Sequence, residues 1–264
     1  MLCEETLGLK LTIRIGRGFA PACVFLIEYM RNRTKNSLQE RLCPSGWSLF
    51  LFVKESPTMH SDGKGRLLLI RHTQSVWNSL NLFTGWVDVE LSEAGKAHAR
   101  EVGEAMAGKY QVDKGYTSSL VRAQQTLQLV MEGAGISGIP IVEDWQLNER
   151  FYGLWQGRNK DQMKAKYGED AIQAVRRGFA DRPPGGESLA DTTERVLPYF
   201  SETIEPELAE GKTILIAAHG NSLRALVKKL ENLADNVVPG VEIGNGELRV
   251  YRYEKETDSY VREV

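Results

Sequence analysis

The chain is short of cysteine: its 264 residues include three, Cys3, Cys23 and Cys43, all near the start. Everything beyond residue 43 therefore has neither a disulfide framework nor a cysteine-based metal site. Net charge is also close to absent, 33 Lys and Arg standing against 35 Asp and Glu. A chain so balanced offers no broad basic surface to nucleic acid or to an anionic membrane, and any cation chemistry has to be local. Long apolar runs are missing as well. The two that come nearest, "FAPACVFLIEYM" and "SLFLFV", fall short of the roughly 20 residues that cross a bilayer, and Glu28 interrupts the first. Neither a fixed-period repeat nor a low-complexity tract is found.

What is present suffices for one sizeable core, since 42% of the residues are hydrophobic. The charge is unevenly spread. Residues 1–58 hold eight basic and five acidic residues and the remainder 25 and 30, so a basic leader precedes an acidic body. Residues 1–64 read as an N-terminal extension, poorly ordered or serving in targeting, and residues 65–264 as the working domain. Arg14, Arg17, Arg31 and Arg33 suit an organelle transit peptide, whereas Glu4 and Glu5 argue against one. The alternative is an extension without a role, with the functional chain starting near Met59. A cytoplasmic enzyme is the simplest expectation.

From Arg66 onward, short apolar runs alternate with longer amphipathic stretches, the pattern of an α/β sheet with helices on its faces. "RLLLIRH" reads as a buried strand. "LSEAGKAHAREVGEAMAGK" reads as a helix capped by Ser92, "GYTSS" as a strand end, and "LVRAQQTLQLVMEGAG" as a helix stopped by glycine. "IPIVED" is a further strand and "NKDQMKAKYGEDAIQAVRRGF" one or two helices. "ESLADTTERVLPYFSETIEPELAEG" is a long helix that Pro198 and Pro206 should kink or break. "KTILIAAHGNSLRALVKKLEN" repeats the opening design of apolar run, histidine and helix, and "ELRVYRYEKETDSYVREV" closes as a hairpin.

Two strands thus end in a histidine, His72 and His219. In open α/β sheets ligands bind beyond the carboxyl ends of the strands, although a histidine there is often structural. His60, in a polar linker, and His98, amid charged helix residues, serve as controls and read as solvated. The neighbours decide for function: Arg71 precedes His72, Asn78 lies six residues on, and Gly220 and Asn221 follow His219. Arginine, amide side chains and the N–H groups of a helix start are what hold phosphate oxygens. Two imidazoles among them suggest phosphoryl transfer through nitrogen, one attacking phosphorus and the other stabilising charge. Trp77, Trp86, Trp145 and Trp155 read as core or pocket wall. By themselves, Glu149 beside Arg150 reads as a surface ion pair, and Arg176 with Arg177 as a solvated helix end.

"RHTQSVWN", "FTGW", "YTSSLVRAQQT", "LNERFYG", "NKDQMKAKYGE", "RRGF" and "AAHGNSLRALV" occur in that order between about Leu67 and Tyr251. Together they resemble the cofactor-dependent phosphoglycerate mutases of the histidine phosphatase superfamily, and the uninterrupted "PPGGES" resembles their short bacterial-type subclass. The resemblance implies a single domain with a mostly parallel central sheet flanked by helices on both faces. It implies interconversion of 3-phosphoglycerate and 2-phosphoglycerate in glycolysis and gluconeogenesis, through a phosphohistidine primed by 2,3-bisphosphoglycerate and without a metal. Its partners would be small phosphorylated three-carbon acids, neither nucleic acid nor membrane, and it leaves a homodimer or a homotetramer open.

Carried over by position, His72 matches the phosphorylated histidine, Arg71 and His219 its phosphate-binding neighbours, and Glu149 the general acid and base. Asn78, Thr84, Gly85, Arg122, Tyr152, Lys160, Arg176, Arg177, Gly220 and Asn221 match phosphate or carboxylate contacts. The charge arithmetic agrees, because a bisphosphate with a carboxylate carries about four to five negative charges and Arg71, Arg122, Lys160, Arg176 and Arg177 supply five positive ones. Thr73 departs from the family's glycine, and Gly244 and Asn245 depart from its Pro-Thr before a retained Gly246. A threonine at 73 is strained if that position needs positive φ, and otherwise adds a hydroxyl for a phosphate oxygen. The rival functions are a phosphomonoester or bisphosphoglycerate phosphatase on the same scaffold, in which water reaches the phosphohistidine, and a phospho-ligand-binding pseudoenzyme, against which the joint presence of His72, His219 and Glu149 speaks.

Overall fold

The computed structural model describes residues 64–264. The expectations for the leader, including its targeting role, the start near Met59 and His60, lie outside the described residues. Six strands form one sheet: β1 (Arg66–Arg71), β2 (Lys114–Thr117), β3 (Ile141–Glu143), β4 (Thr213–Ala218), β5 (Leu248–Glu254) and β6 (Ser259–Arg262). Their order is β3-β2-β4-β1-β5-β6, with β1 to β4 mutually parallel and the β5–β6 hairpin antiparallel on one edge.

Strands β1 and β4 are apolar along their interiors, Leu67–Ile70 and Ile214–Ala218, because a central parallel strand is covered on both faces. Alternate residues divide between two cores. Leu67, Leu69, Ile214 and Ile216 pack with Val196 of α6 (Leu189–Tyr199) and with Leu223 and Leu226 of α8 (Gly220–Leu230). Leu68, Ile70, Leu215 and Ala217 pack on the other face with Ala99 and Met106 of α2 (Glu93–Met106) and with Leu127 and Val130 of α3 (Val121–Ala134). Ser92 caps α2 by accepting from Gly95 N at 3.1 Å, and Gly135 ends α3 in the left-handed region. Both helix signals act as the sequence indicated.

The stretch that allowed one or two helices contains two, α4 (Lys160–Tyr167) and α5 (Glu169–Arg177), separated by Gly168 at φ +87°. Only glycine takes that conformation without strain, so this residue sets the angle at which α5 leaves α4. The proline-bearing helix is not broken. Pro198 lies inside α6, the chain widens to a π turn over Phe200–Ile204, and α7 (Glu205–Ala209) has Pro206 in its first turn.

Candidate active site

The β1–β4 register pairs Arg71 with Ala218, and His72 N donates to Ala218 O at 2.8 Å. The residue after each strand is therefore a neighbour of the other: the His72 and His219 rings stand 5.0 Å apart, tilted by 56°. Both are buried. His72 Nδ1 lies 2.7 Å from Thr73 O, and because a carbonyl only accepts, Nδ1 carries the ring proton and Nε2 keeps its lone pair. On the second ring, Ser118 Oγ accepts from Leu120 N at 3.2 Å and lies within hydrogen-bond distance of His219 Nε2, 2.7 Å away. His219 Nδ1 is buried with no hydrogen-bond partner among the described residues. Burial, followed by Arg122 and Arg71, holds the pKa of His72 well below its usual value. Burial, then Arg122, His72, Arg71 and Arg195, does the same for His219. Both rings are neutral at pH 7.

One cavity gathers nearly all the residues singled out from the sequence. Arg71, His72, Asn78, Thr84, Gly85, Arg122, Glu149, Tyr152, Lys160, Arg176, Arg177, Gly220 and Asn221 line it, together with Leu82, Phe83 and Arg224, which the sequence had not marked. His219 is not among the lining residues, although its ring adjoins that of His72. Arg71 is steered by a 2.6 Å bond to Ile243 O. Arg122 is held by the Gly85 carbonyl at 2.7 Å and the Val87 carbonyl at 3.1 Å. Burial lowers the pKa of Arg122 to about 10, so it stays charged. Lys160, in the first turn of α4, is lowered to about 8 by burial and then by Arg176 and Arg71.

Arg176 and Arg177 end α5, where Arg177 pairs with Glu242 at 2.6 Å. They face this cavity rather than forming a solvated helix end. Arg71 Nε, Arg122 Nε and Arg177 Nη1 are buried donors left without partners among the described residues. An unpaired buried donor costs about 1–3 kcal/mol, and so many converging cationic donors fit an oxyanion such as phosphate. The first turn of α8 adds the positive end of a helix dipole.

Glu149 is not in a surface ion pair. It is 9% exposed, and the Arg150 guanidinium turns away to Arg176 O and the Tyr152 hydroxyl. Three donors converge on Glu149 Oε1: Arg150 N at 2.8 Å, Asn221 N at 3.0 Å and Asn221 Nδ2 at 2.9 Å. None of them reaches Oε2, the oxygen left to exchange a proton. Burial works against ionisation of Glu149, but the Arg150 amide, Arg71, Arg122 and the Asn221 amide outweigh it and leave the pKa below the usual value. The arrangement puts a neutral nucleophilic imidazole, a set of oxyanion donors and an ionised carboxylate around one small space.

A family model described as the histidine phosphatase superfamily (branch 1) matches residues 67–263. The chain belongs to this superfamily. A 2,3-bisphosphoglycerate-dependent phosphoglycerate mutase of Methylobacterium radiotolerans is 50% identical to it over 192 residues, 72% of this chain and 91% of that protein. A phosphoglycerate mutase of Schizosaccharomyces pombe is 46% identical over 191 residues, 72% of this chain and 90% of the other. Among solved structures, a mycobacterial glucosyl-3-phosphoglycerate phosphatase in complex with VO3 is similar with a TM-score of 0.66 and 28% identity, covering 75% of this chain and 97% of that one.

Several groups that shape this histidine phosphatase site were not read from the sequence. Trp86 donates through its indole to Glu149 O at 2.5 Å, and Arg195 donates to Gln146 O, Asn148 O and Glu149 O at 2.7–3.0 Å. Together they hold the segment that carries Glu149. Trp145, expected in the core or pocket wall, is 50% exposed and packs edge-on against Trp86, because its three-residue helical turn buries Leu147 in the core instead. Trp77, Trp86 and Trp155 are half-buried beside the cavity rather than in its lining. His98 is half-buried and rests on Gly246, whose φ is +73°, so it is not simply solvated.

Thr73 does not have a positive φ. Its hydroxyl is buried without a hydrogen bond among the described residues and does not line the cavity, so neither strain nor a phosphate contact explains it. The other departure has a clear place. Asn245 Nδ2 donates to His72 O at 2.9 Å and to Thr73 O at 3.2 Å, which ties the turn carrying His72 to the segment before β5.

Proposed function

We propose that this histidine phosphatase interconverts 3-phosphoglycerate and 2-phosphoglycerate through a phosphohistidine at His72, as a cytoplasmic enzyme of glycolysis and gluconeogenesis. The observation that carries the reading is the identity of 46–50% to proteins named phosphoglycerate mutases, matched over nine-tenths of their length. Bound 2,3-bisphosphoglycerate supplies the phosphoryl group that primes His72, and the unpaired donors around the cavity suit an anion of that kind.

The roles follow from the atoms. His72 Nε2 forms the N–P bond as the P–O bond breaks. Arg71, Arg122 and His219 take the equatorial oxygens, whose charge grows in transfer. Glu149 Oε2 takes the proton of the accepting hydroxyl and returns one to the leaving oxygen when His72 recovers a phosphoryl group. Asn78, whose amide oxygen is occupied by Ser75 N at 3.1 Å, has its NH₂ left for the ligand. Thr84, Gly85, Tyr152, Lys160, Arg176, Arg177, Gly220 and Asn221 hold the remaining phosphate and the carboxylate.

The test is conversion of 3-phosphoglycerate with chelator present, with and without added bisphosphate, in the unaltered protein and in His72→Ala. Stimulation by bisphosphate and a loss of about 10⁴-fold or more in His72→Ala are expected. Full activity in that variant would exclude the phosphohistidine. A second reading is favoured by the fold shared with a phosphatase: release of inorganic phosphate without 2-phosphoglycerate in the same assay would establish hydrolysis in place of transfer.

A further inference from the structure

Arg224 is a cation placed where charge is costly. It is 6% exposed, lines the cavity beside other arginines, and burial followed by Arg177 lowers its pKa to about 10. Its bonds are directed. Nε donates to Val241 O at 2.7 Å and Nη1 to Asn221 Oδ1 at 2.9 Å, three residues back on the same face of α8.

The consequence lies in the Asn221 amide. An asparagine amide fits a site in two orientations that exchange oxygen and nitrogen. An arginine can only donate, so Oδ1 must face Arg224 and Nδ2 must face Glu149 Oε1. In the reversed orientation Oδ1 would oppose the carboxylate and one of its three donors would be lost.

We infer that Arg224 is a positioning residue for Glu149: anchored on Val241, it fixes the Asn221 amide so that this amide donates to the carboxylate. The inference rests on Glu149 being the proton carrier proposed above. The charged and titratable groups facing Glu149 are Arg71 from β1, Arg122 from α3, Lys160 from α4, Arg224 itself from α8, and Tyr152 beside the carboxylate. Of these, Arg224 acts on Glu149 through the amide.

The experiment compares the unaltered full chain with Arg224→Met and Arg224→Lys. It measures kcat and KM for 3-phosphoglycerate across pH, together with the stoichiometry of acid-labile phosphate taken up from 2,3-bisphosphoglycerate. In Arg224→Met, labelling of His72 persists and KM stays within about threefold, while kcat falls roughly 10-fold or more. Its acid limb moves up by about 0.5–1 pH unit, because an ionised carboxylate that loses a donor holds its proton more tightly. Arg224→Lys, which keeps a donor for Asn221 Oδ1, lies between the two.

A rise in KM with kcat unchanged would make Arg224 a ligand contact and overturn the inference. So would a fall in kcat with an unmoved acid limb, which is the mark of a merely structural residue. If Arg224→Met does not fold, Arg224→Lys decides, and an acid limb identical to that of the unaltered protein overturns the inference. Absence of acid-labile label in the unaltered protein would instead bring down the phosphohistidine reading on which the inference stands.

Discussion

Lys160 has the pocket cation closest to titration. With its pKa at about 8 in the free pocket, it is charged below that pH and neutral above it. KM for 3-phosphoglycerate should therefore climb as pH passes 8, by about tenfold per pH unit at most, while kcat changes less. Lys160→Arg should flatten the climb. Initial rates between pH 7 and 9.5 in the two proteins test this. Asn245 offers a second residue-level test. Asn245→Ala removes one donor from each of the carbonyls of His72 and Thr73, and quenched single turnovers should show His72 phosphorylation slowed roughly three- to tenfold, with binding little changed. An unaltered rate would make the amide a bystander.

At this same scale the limits of reading a sequence are plain. His72 and His219 were legible because apolar runs point at them. Arg224 was within reach too, three residues past Asn221 in a helical stretch. Arg195 was not, nor were the partners of Trp86 and Asn245, since each of the three acts through backbone carbonyls contributed by segments tens to more than a hundred residues away. No local pattern encodes such a partner.

Among the elements, the short pair α4 and α5 carries Lys160, Arg176 and Arg177 to the cavity from one side, and Gly168 sets their mutual angle. Gly168→Ala has open space for its methyl group, so the whole penalty is conformational, about 1–3 kcal/mol for an alanine held at positive φ with extended ψ. A drop of several degrees in Tm is expected. Because the strain is relieved most easily by moving α5, KM should rise by a greater factor than kcat falls. Calorimetry and steady-state kinetics on one preparation check both. Helix starts and stops were legible here through Ser92 and Gly135, whose side-chain chemistry is local. The π turn after Pro198 was not, because a helix that loses one N–H can kink, break or widen, and the packing of Phe200 and Ile204 into the core selects widening.

The molecule as a whole should be sensitive to mild acid. His72 and His219 are neutral in the folded protein and their pKa values lie well below 6.5. Above pH 6.5 folded and unfolded chains bind the same number of protons at these sites. Below it only the unfolded chain takes them up, so stability falls as pH drops through 6.5 toward the lower folded pKa values. The slope is roughly 1.4 kcal/mol per pH unit for each ring. Urea titrations of the ligand-free protein at pH 7.5, 6.5 and 5.5 should show the decline, and His219→Asn should show a shallower one. An equal decline in that variant would place the proton uptake elsewhere.

The separation of the two imidazoles has a further meaning. Their 5.0 Å spacing is close to the roughly 4.8 Å between hydrogen-bonded strands in any sheet, and the rings stand one residue beyond a paired position. The spacing of the two rings thus follows the spacing of the paired strands that carry them. In the proposed mechanism, substitutions in the surrounding loops can change which ester enters, how long it stays and whether water follows it, while the two imidazoles keep their gauge.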